Sequence, residues 1–263
     1  MQTIVHGGSI AIFLLAGVLW PRRKMPWPAR DTIVNVTTGV SLAMLRFTVL
    51  ALAVHLPAGR CYRFVTVQQP VVQFLIVFLL SDFTRYWVHY LHHRIDFLWR
   101  FHRVHHSSEF LDATSGLRMH VIDFLALSMI PVVLFGVLFD CSRFSPVVWI
   151  ALALTTDAFD AFEHANIRMS LTSPWMARWN LLFNNPVFHG WHHSTDPGEY
   201  NGNYGQALTI WDRIFNSHIP HTQPPPEMGL PERDRLLNSA LGLQMLQPAP
   251  YAPSHEPRST PPR

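Results

Sequence analysis

The stretch VVQFLIVFLLSDFTRYWVHYLHH, residues 71–93, decides how the chain is read. Val71 to Trp87 is apolar up to Ser81 and Asp82, then continues into His89 and His93 with no glycine or proline to break it. At 1.5 Å per residue, such a run covers about 25 Å as a helix, close to the hydrocarbon thickness of a bilayer. The pattern predicts one helix that crosses a membrane and emerges into water carrying imidazoles.

Outward from it, four more apolar runs appear. Ile4 to Trp20 is interrupted only by His6, Gly7, Gly8 and Ser9 and is closed by Pro21 and the basic cluster Arg22, Arg23, Lys24. A secretory signal carries its charge before the apolar core, whereas here it follows, so the run reads as a span. Ile33 to Leu56 is a second span. Val121 to Phe139 and Val147 to about Ala161, joined by the short turn Asp140 to Pro146, read as a hairpin of spans. Arg22, Arg23, Lys24 and Arg30 crowd the first connection, against only Arg60 and Arg63 in the second, so the first loop is expected to be cytoplasmic. Alternating from there places 89–120 and everything after Glu163 on the same side. The expected fold class is therefore all-α: a polytopic membrane helical bundle of about four to five spans with a cytoplasmic histidine-rich helical cap, in a bacterial inner membrane or the endoplasmic reticulum. The chain divides into N-terminal transmembrane helices (1–69), a histidine-rich domain with three further spans (70–219) and a flexible proline-rich tail (220–263), in which only Pro231 to Met245 suggests a short helix.

Composition agrees. Charged residues are 14% of 263 and hydrophobic residues 49%, which excludes both a disordered chain and a well-solvated globular domain. The formal charge of +3 is mild, and no basic surface interleaved with aromatics suggests a nucleic-acid partner. Only Cys61 and Cys141 are present, too few for cysteine-rich zinc modules, iron–sulfur clusters or a disulfide framework. Both fall in the loops expected on the far side of the membrane; a single bridge is chemically open there, and unpaired thiols are the simpler reading.

Sixteen histidines are far more than packing needs. Most lie in three strings: His89-Tyr-Leu-His92-His93, His102-Arg-Val-His105-His106 and His189-Gly-Trp-His192-His193. Residues at i, i+3 and i+4 share one helix face, so each string aims two or three imidazoles at one volume. Packed imidazoles without a metal gain nothing that offsets their desolvation. Two solitary histidines, His120 at the start of the fourth span and His164 at the end of the fifth, bring rings to the same interface. Asp123 and Asp160 stand three after His120 and four before His164, at spacings from which a carboxylate can hold the outer ring N–H of a ligand. Asp82 and Asp196, near His89 and His193, are candidates for the same role. A mononuclear site takes three or four protein ligands, and this supply exceeds that more than twofold, so two metal ions are implied. Imidazole suits zinc, copper, iron and nickel alike, and the metal stays open at this level. Neither H-E-x-x-H nor G-x-S-x-G occurs, which argues against a zinc protease or a serine hydrolase.

These residues carry a resemblance. Asp82-Phe-Thr-Arg-Tyr-Trp-Val-His89, His93 and Leu98-Trp-Arg-Phe-His102-Arg-Val-His105-His106-Ser closely resemble the fatty acid hydroxylase/sterol desaturase superfamily of membrane-bound di-iron oxygenases. Asp112, Thr114, Arg118 and His120, then His164-Ala-Asn166, then Pro186 with His189, His192 and His193, and finally Asn203-Tyr-Gly205 with Trp211-Asp-Arg-Ile-Phe215 are similar to its later segments. The resemblance runs from about Val71 to Ser217 and leaves out the first two spans and the tail. It implies metal ligation by His89, His93, His102, His105, His106, His120, His164, His189, His192 and His193. His92 is left out, because the family's first box is H-x-x-x-H. Tyr90 and Val121 depart from the residues common in the family and leave the subfamily, hence the substrate, open. The resemblance further implies two iron ions, with zinc as a substitute metal, and O2-dependent hydroxylation or desaturation of a lipid. No flavin or nicotinamide fingerprint is present, so electrons are expected from a separate reductase, ferredoxin or cytochrome. The competing class is a non-catalytic metal-binding or metal-transporting membrane protein, which predicts ligands spread over the depth of the membrane.

Overall fold

The computed structural model describes residues 2–24, 30–53 and 67–230, and among them the chain is helical with no strand beyond three isolated bridges. The α-helices are α1 (Gln2–Leu19), α2 (Arg30–Ala53), α3 (Pro70–Arg94), α4 (Asp96–His106), α5 (Val121–Leu138), α6 (Pro146–Glu163), α7 (Pro174–Leu182), α8 (Pro186–His192) and α9 (Ile210–Ile214).

Each predicted apolar run falls on a helix over its described residues. Among the described residues α3 and α5 are long and apolar enough to cross a membrane, and the apolar parts of α1 and α2 are shorter, His6–Leu19 and Asp31–Leu45. α6 contains Thr155, Thr156, Asp157 and Asp160, which lower its hydropathy. Only 22% of the apolar window of α5 is buried, and Ile130, Val132, Val133 and Val137 point outward. An apolar helix so exposed is consistent with a bundle whose outer surface meets lipid.

α3 behaves as its sequence predicts, running unbroken from Pro70 through His93. At Ile95 the backbone turns extended (φ −107°, ψ 113°), which ends α3 and folds α4 back against it. α1 packs along α6, with Phe13 and Phe162 5.4 Å apart, and α3 contacts both α5 and α6. At one end of the bundle Val77, Phe135, Phe144 and Val148 form a core, closed by Gln73, which donates to the Val67 carbonyl at 2.7 Å and accepts from the Ser145 amide at 3.0 Å. The opposite end collects the histidines.

Two segments depart from the sequence reading. α2, placed outside the catalytic region, is tied into it. Asn35 donates to Thr114 at 3.0 Å, Thr32 bonds Asp112, and the fully buried Arg118 donates to Asn35 Oδ1 at 2.7 Å and pairs with Asp31. The helix also approaches so closely at Gly39 that a Cβ there would lie 2.9 Å from the Leu117 side chain. In addition, residues 220–230, assigned to a flexible tail, pack onto the histidine end. Met228 and Leu230 are buried, the Leu171 amide donates to Thr222 at 2.8 Å, and the Gly229 amide donates to His193 at 3.0 Å. Proline forbids helix and sheet ladders here but not a strap bonded through its other residues. The rest of the tail, including 231–245, and Cys61 lie outside the described residues.

Candidate metal centre

Four helices deliver the imidazoles. α3 presents His89 and His93 one turn apart, α4 presents His102 and His106 one turn apart with His105 beside them, α6 ends on His164, and α8 carries His189 and His192 and ends on His193. α8 starts cleanly because Asn185 caps it, its side chain accepting from the Val187 and Phe188 amides, and Pro186 takes the first helical position.

The rings fall into two buried groups. His89, His93, His102, His106 and His192 form one; His105, His164, His189 and His193 form the other, with the candidate ligand atoms of each group within 4.8 Å of one another. The groups adjoin, since the rings of His106 and His193 stack at 4.4 Å. Nine of the ten predicted ligands are thus brought together. His120 belongs to neither group. It caps α5, its Nδ1 accepting from the Ile122 amide at 3.1 Å, and its ring lies against Phe101 at 4.7 Å. His92 also stands apart: its Nδ1 faces the Val88 carbonyl at 2.6 Å and its Nε2 is 3.6 Å from Asp123.

Whether these residues suit a metal is decided at the ring nitrogens. The Nδ1 atoms of His89, His192, His105 and His164 donate outward to the carbonyls of Tyr204 (2.8 Å), Gly202 (2.9 Å), Arg118 (3.2 Å) and Asp160 (2.7 Å), and His102 Nδ1 donates to Asp123 at 2.9 Å. With the proton at Nδ1, each Nε2 carries a lone pair aimed inward. The Nε2 atoms of His89, His102, His106 and His192 are buried with no hydrogen-bond partner. In the second group Nε2 atoms face each other at 3.0 Å (His189–His164), 3.1 Å (His193–His189) and 3.4 Å (His164–His105). Lone pairs so close repel unless a cation lies between them, and metal–nitrogen bonds of about 2.0–2.1 Å at ordinary coordination angles put nitrogens roughly 3.0–3.4 Å apart. The donor set fits a metal ion in each group. Burial and the neighbouring imidazoles hold His105, His106, His189, His192 and His193 well below the usual histidine range, so they are neutral, the form that ligates.

The four predicted supporting carboxylates divide. Asp123 holds His102 and faces His92. Asp160 reaches His164 through its backbone carbonyl, its carboxylate lying 3.9 Å away. Asp82 touches no histidine; it accepts from the Ala207 and Leu208 amides and from Trp211 Nε1, and so fixes the loop leading into α9. Asp196 accepts from the Gly198 amide at 2.8 Å and shapes a local turn, because the helix has ended at His193 and helical spacing no longer applies. Replacing Asp123 by asparagine is expected to weaken metal binding about 10–100-fold, read as faster metal loss to a chelator in the purified protein.

Several contributors escaped the sequence reading. Glu163 is buried beside the second group, 3.9 Å from both His164 and His189, and bonded by Asn184. Its position next to a candidate ligand was the available signal. The family-like Asn203-Tyr-Gly205 and Trp211-Asp212 marked their loop, but nothing in the sequence pointed to the carbonyls of Gly202 and Tyr204, since every residue has one. They are aimed by a loop in which Asn203 adopts φ 57° and Asp212 accepts from the Tyr204 and Gly205 amides, both at 2.7 Å. Gly205 is required there, because a Cβ would collide with the Leu208 carbonyl and the Asp212 carboxylate.

Comparison with known proteins places this geometry. The family model described as fatty acid hydroxylase matches residues 74–217. Ornithine lipid hydroxylase OlsE of Rhizobium tropici is 31% identical over 240 residues, covering 85% of this chain and 68% of its own length. Alkylglycerol monooxygenase of Caenorhabditis elegans is 27% identical over 162 residues, 60% of this chain and 29% of its own length. Very-long-chain aldehyde decarbonylase GL1-9 of Oryza sativa subsp. japonica is 27% identical over 192 residues, 71% of this chain and 70% of its own length. The chain thus spans about two thirds of the first relative and under a third of the second. No solved structure matches it.

Proposed function

The chain belongs to the fatty acid hydroxylase family, and on that footing we propose that it is a membrane-bound non-haem di-iron oxygenase that hydroxylates a C–H bond of a lipid. The observation that carries this reading is the convergence of nine histidines into two adjoining buried groups with inward-facing lone pairs. His89, His93, His102, His106 and His192 would hold one iron, and His105, His164, His189 and His193 the other, with zinc able to substitute. When bound, the irons supply the redox chemistry that an unactivated C–H bond demands and that no side chain of the protein offers. The protein fixes ring orientation through the outer hydrogen bonds, keeps His105, His106, His189, His192 and His193 neutral and excludes water by burial. Overall, the lipid C–H bond and O2, with two electrons and two protons, give the alcohol and water. The electrons come from a separate reductase, ferredoxin or cytochrome. That the ornithine lipid hydroxylase and alkylglycerol monooxygenase relatives are named for oxygen insertion favours hydroxylation over desaturation.

The same reading makes α1, α2, α3, α5 and α6 the spans and puts the metal centre at the cytoplasmic headgroup level. In support, the basic segment after α1 pairs with residues 166–168, immediately beyond His164, so the loop expected to be cytoplasmic lies at the histidine end. Compact grouping of the ligands also disfavours an ion-transport path.

Metal analysis of anaerobically purified protein tests the proposal. About two irons per chain, with O2 consumption dependent on added lipid and a reductant, are expected. Reversibly bound zinc with no oxygen uptake from the iron-loaded protein would leave only a metal-binding membrane protein.

A further inference from the structure

The segment after α1 gathers charge that the metal centre does not use. Residues 20–23 lie along residues 166–168: the Arg168 amide donates to Trp20 at 2.8 Å, the Arg22 amide to Asn166 at 3.0 Å, and the Asn166 side chain bonds the Arg23 backbone in both directions, at 2.8 and 3.1 Å. The pairing brings Arg22, Arg23, Lys24 and Arg168 to one edge of the bundle. Among the described residues none of these four pairs with a carboxylate, in contrast to Arg118, which pairs with Asp31, and Arg143, which pairs with Asp140.

Arg22 is the most unusual of them. Its Nε is buried without a hydrogen bond, and its Nη2 donates only to Met228 Sδ, at 3.1 Å, a weak acceptor. Its Nη1 lies against α8, within 3.5 Å of where a side chain at Gly190 would begin. Arg22 is half-buried, and a guanidinium with its Nε turned away from water and only a sulfur as partner is favoured by an anion that completes its surroundings. At the same edge is a cleft of about 360 Å³, lined by Leu19, Trp20, Pro21, Ile167 and Arg168. Its walls are apolar, with Arg168 as the charged exception. Trp20 and Leu19 are 64% and 56% exposed, an arrangement suited to hydrocarbon and to the headgroup layer, where tryptophan concentrates.

We propose that this edge is a binding site for a lipid with an anionic, phosphodiester-type headgroup, its anion held by Arg22 and Arg168 and its upper chain lying against Leu19, Trp20 and Ile167. The inference rests on the membrane reading above but not on the metal ions. Simple attraction of basic loops to a negative leaflet does not require the 166–168 segment; this site does, because Arg168 belongs to it.

The test uses the full chain reconstituted in phosphatidylcholine nanodiscs doped with phosphatidylglycerol, then released and weighed by native mass spectrometry with its retained lipid. Retention of phosphatidylglycerol in preference to phosphatidylcholine is expected. Arg168→Gln, an exposed position whose change spares the fold, should cut that preference about fivefold, and Arg22→Gln should do likewise. Arg143→Gln, at the other end of the bundle, should leave it intact. No preference in the unaltered protein, an undiminished preference in Arg168→Gln, or displacement of the lipid by millimolar inorganic phosphate would each overturn the site as a lipid site. Failure of the membrane reading itself would show earlier and separately, as a chain that does not fractionate with membranes.

Discussion

Replacement of His105 by alanine is expected to abolish turnover, by about a thousandfold or more, a barrier increase of roughly 4 kcal/mol. His105 is one of four imidazoles in the second group, and the change leaves three. The lost ring also carries the hydrogen bond to the Arg118 carbonyl, one of the contacts that orient this wall of the site. Iron should fall from two toward one per chain, because the first group keeps its five histidines, while the protein remains in the membrane fraction with its helix content intact. His92→Ala is the matched control. That ring is equally buried and lies beside His102, but belongs to neither group, so iron content should stay near the unaltered value. Full activity with unchanged iron in His105→Ala would remove the second group from the reaction.

The other large effect is expected at Arg118, whose side chain faces away from the metal centre toward α2 while its carbonyl bonds His105. Arg118 is fully buried and bonds Asn35, Ser107 and Asp31, linking α2 to the loop that supports His105. Arg118→Met strands these partners, and since Asn35 and Ser107 are buried while Asp31 is half-buried, the cost is about 1–3 kcal/mol for each buried polar group left unsatisfied. Thermal unfolding of the purified protein in detergent should begin well below that of the unaltered chain. Arg118→Lys should recover little, since an ammonium cannot reproduce the fork that serves three partners at once. Combining Arg118→Met with Asp31→Asn should cost less than the two changes added together, which identifies the pair as the source. Equal stability in all these variants would mean that the α2 clamp contributes nothing to the fold.

How far the site was legible in the sequence depends on the kind of contact. His89 and His93, His102 and His106, and His189 and His193 could be paired on paper because each pair lies one helical turn apart, a spacing the helix itself enforces. Helical spacing misled wherever the helix had stopped. Asp196 is three residues after His193 yet serves a turn, and Asp123, three residues after His120, which stands before α5 begins, holds His102 instead. The role of α2 was invisible, because Asp31, Thr32 and Asn35 look like ordinary polar residues at a span end until the 107–118 loop folds onto them.

By itself the sequence determined the helical runs, their apolar faces and the supply of imidazoles at the ends of several of them, because these follow from composition and from a 3.6-residue repeat that acts over a few neighbours. Tertiary structure alone decided the division of nine rings between two groups, the carbonyls of Gly202 and Tyr204 that turn them, and the closing of the site by α2 and residues 220–230. Those choices join residues up to about a hundred positions or more apart through backbone groups that every residue shares, so no local pattern can announce them.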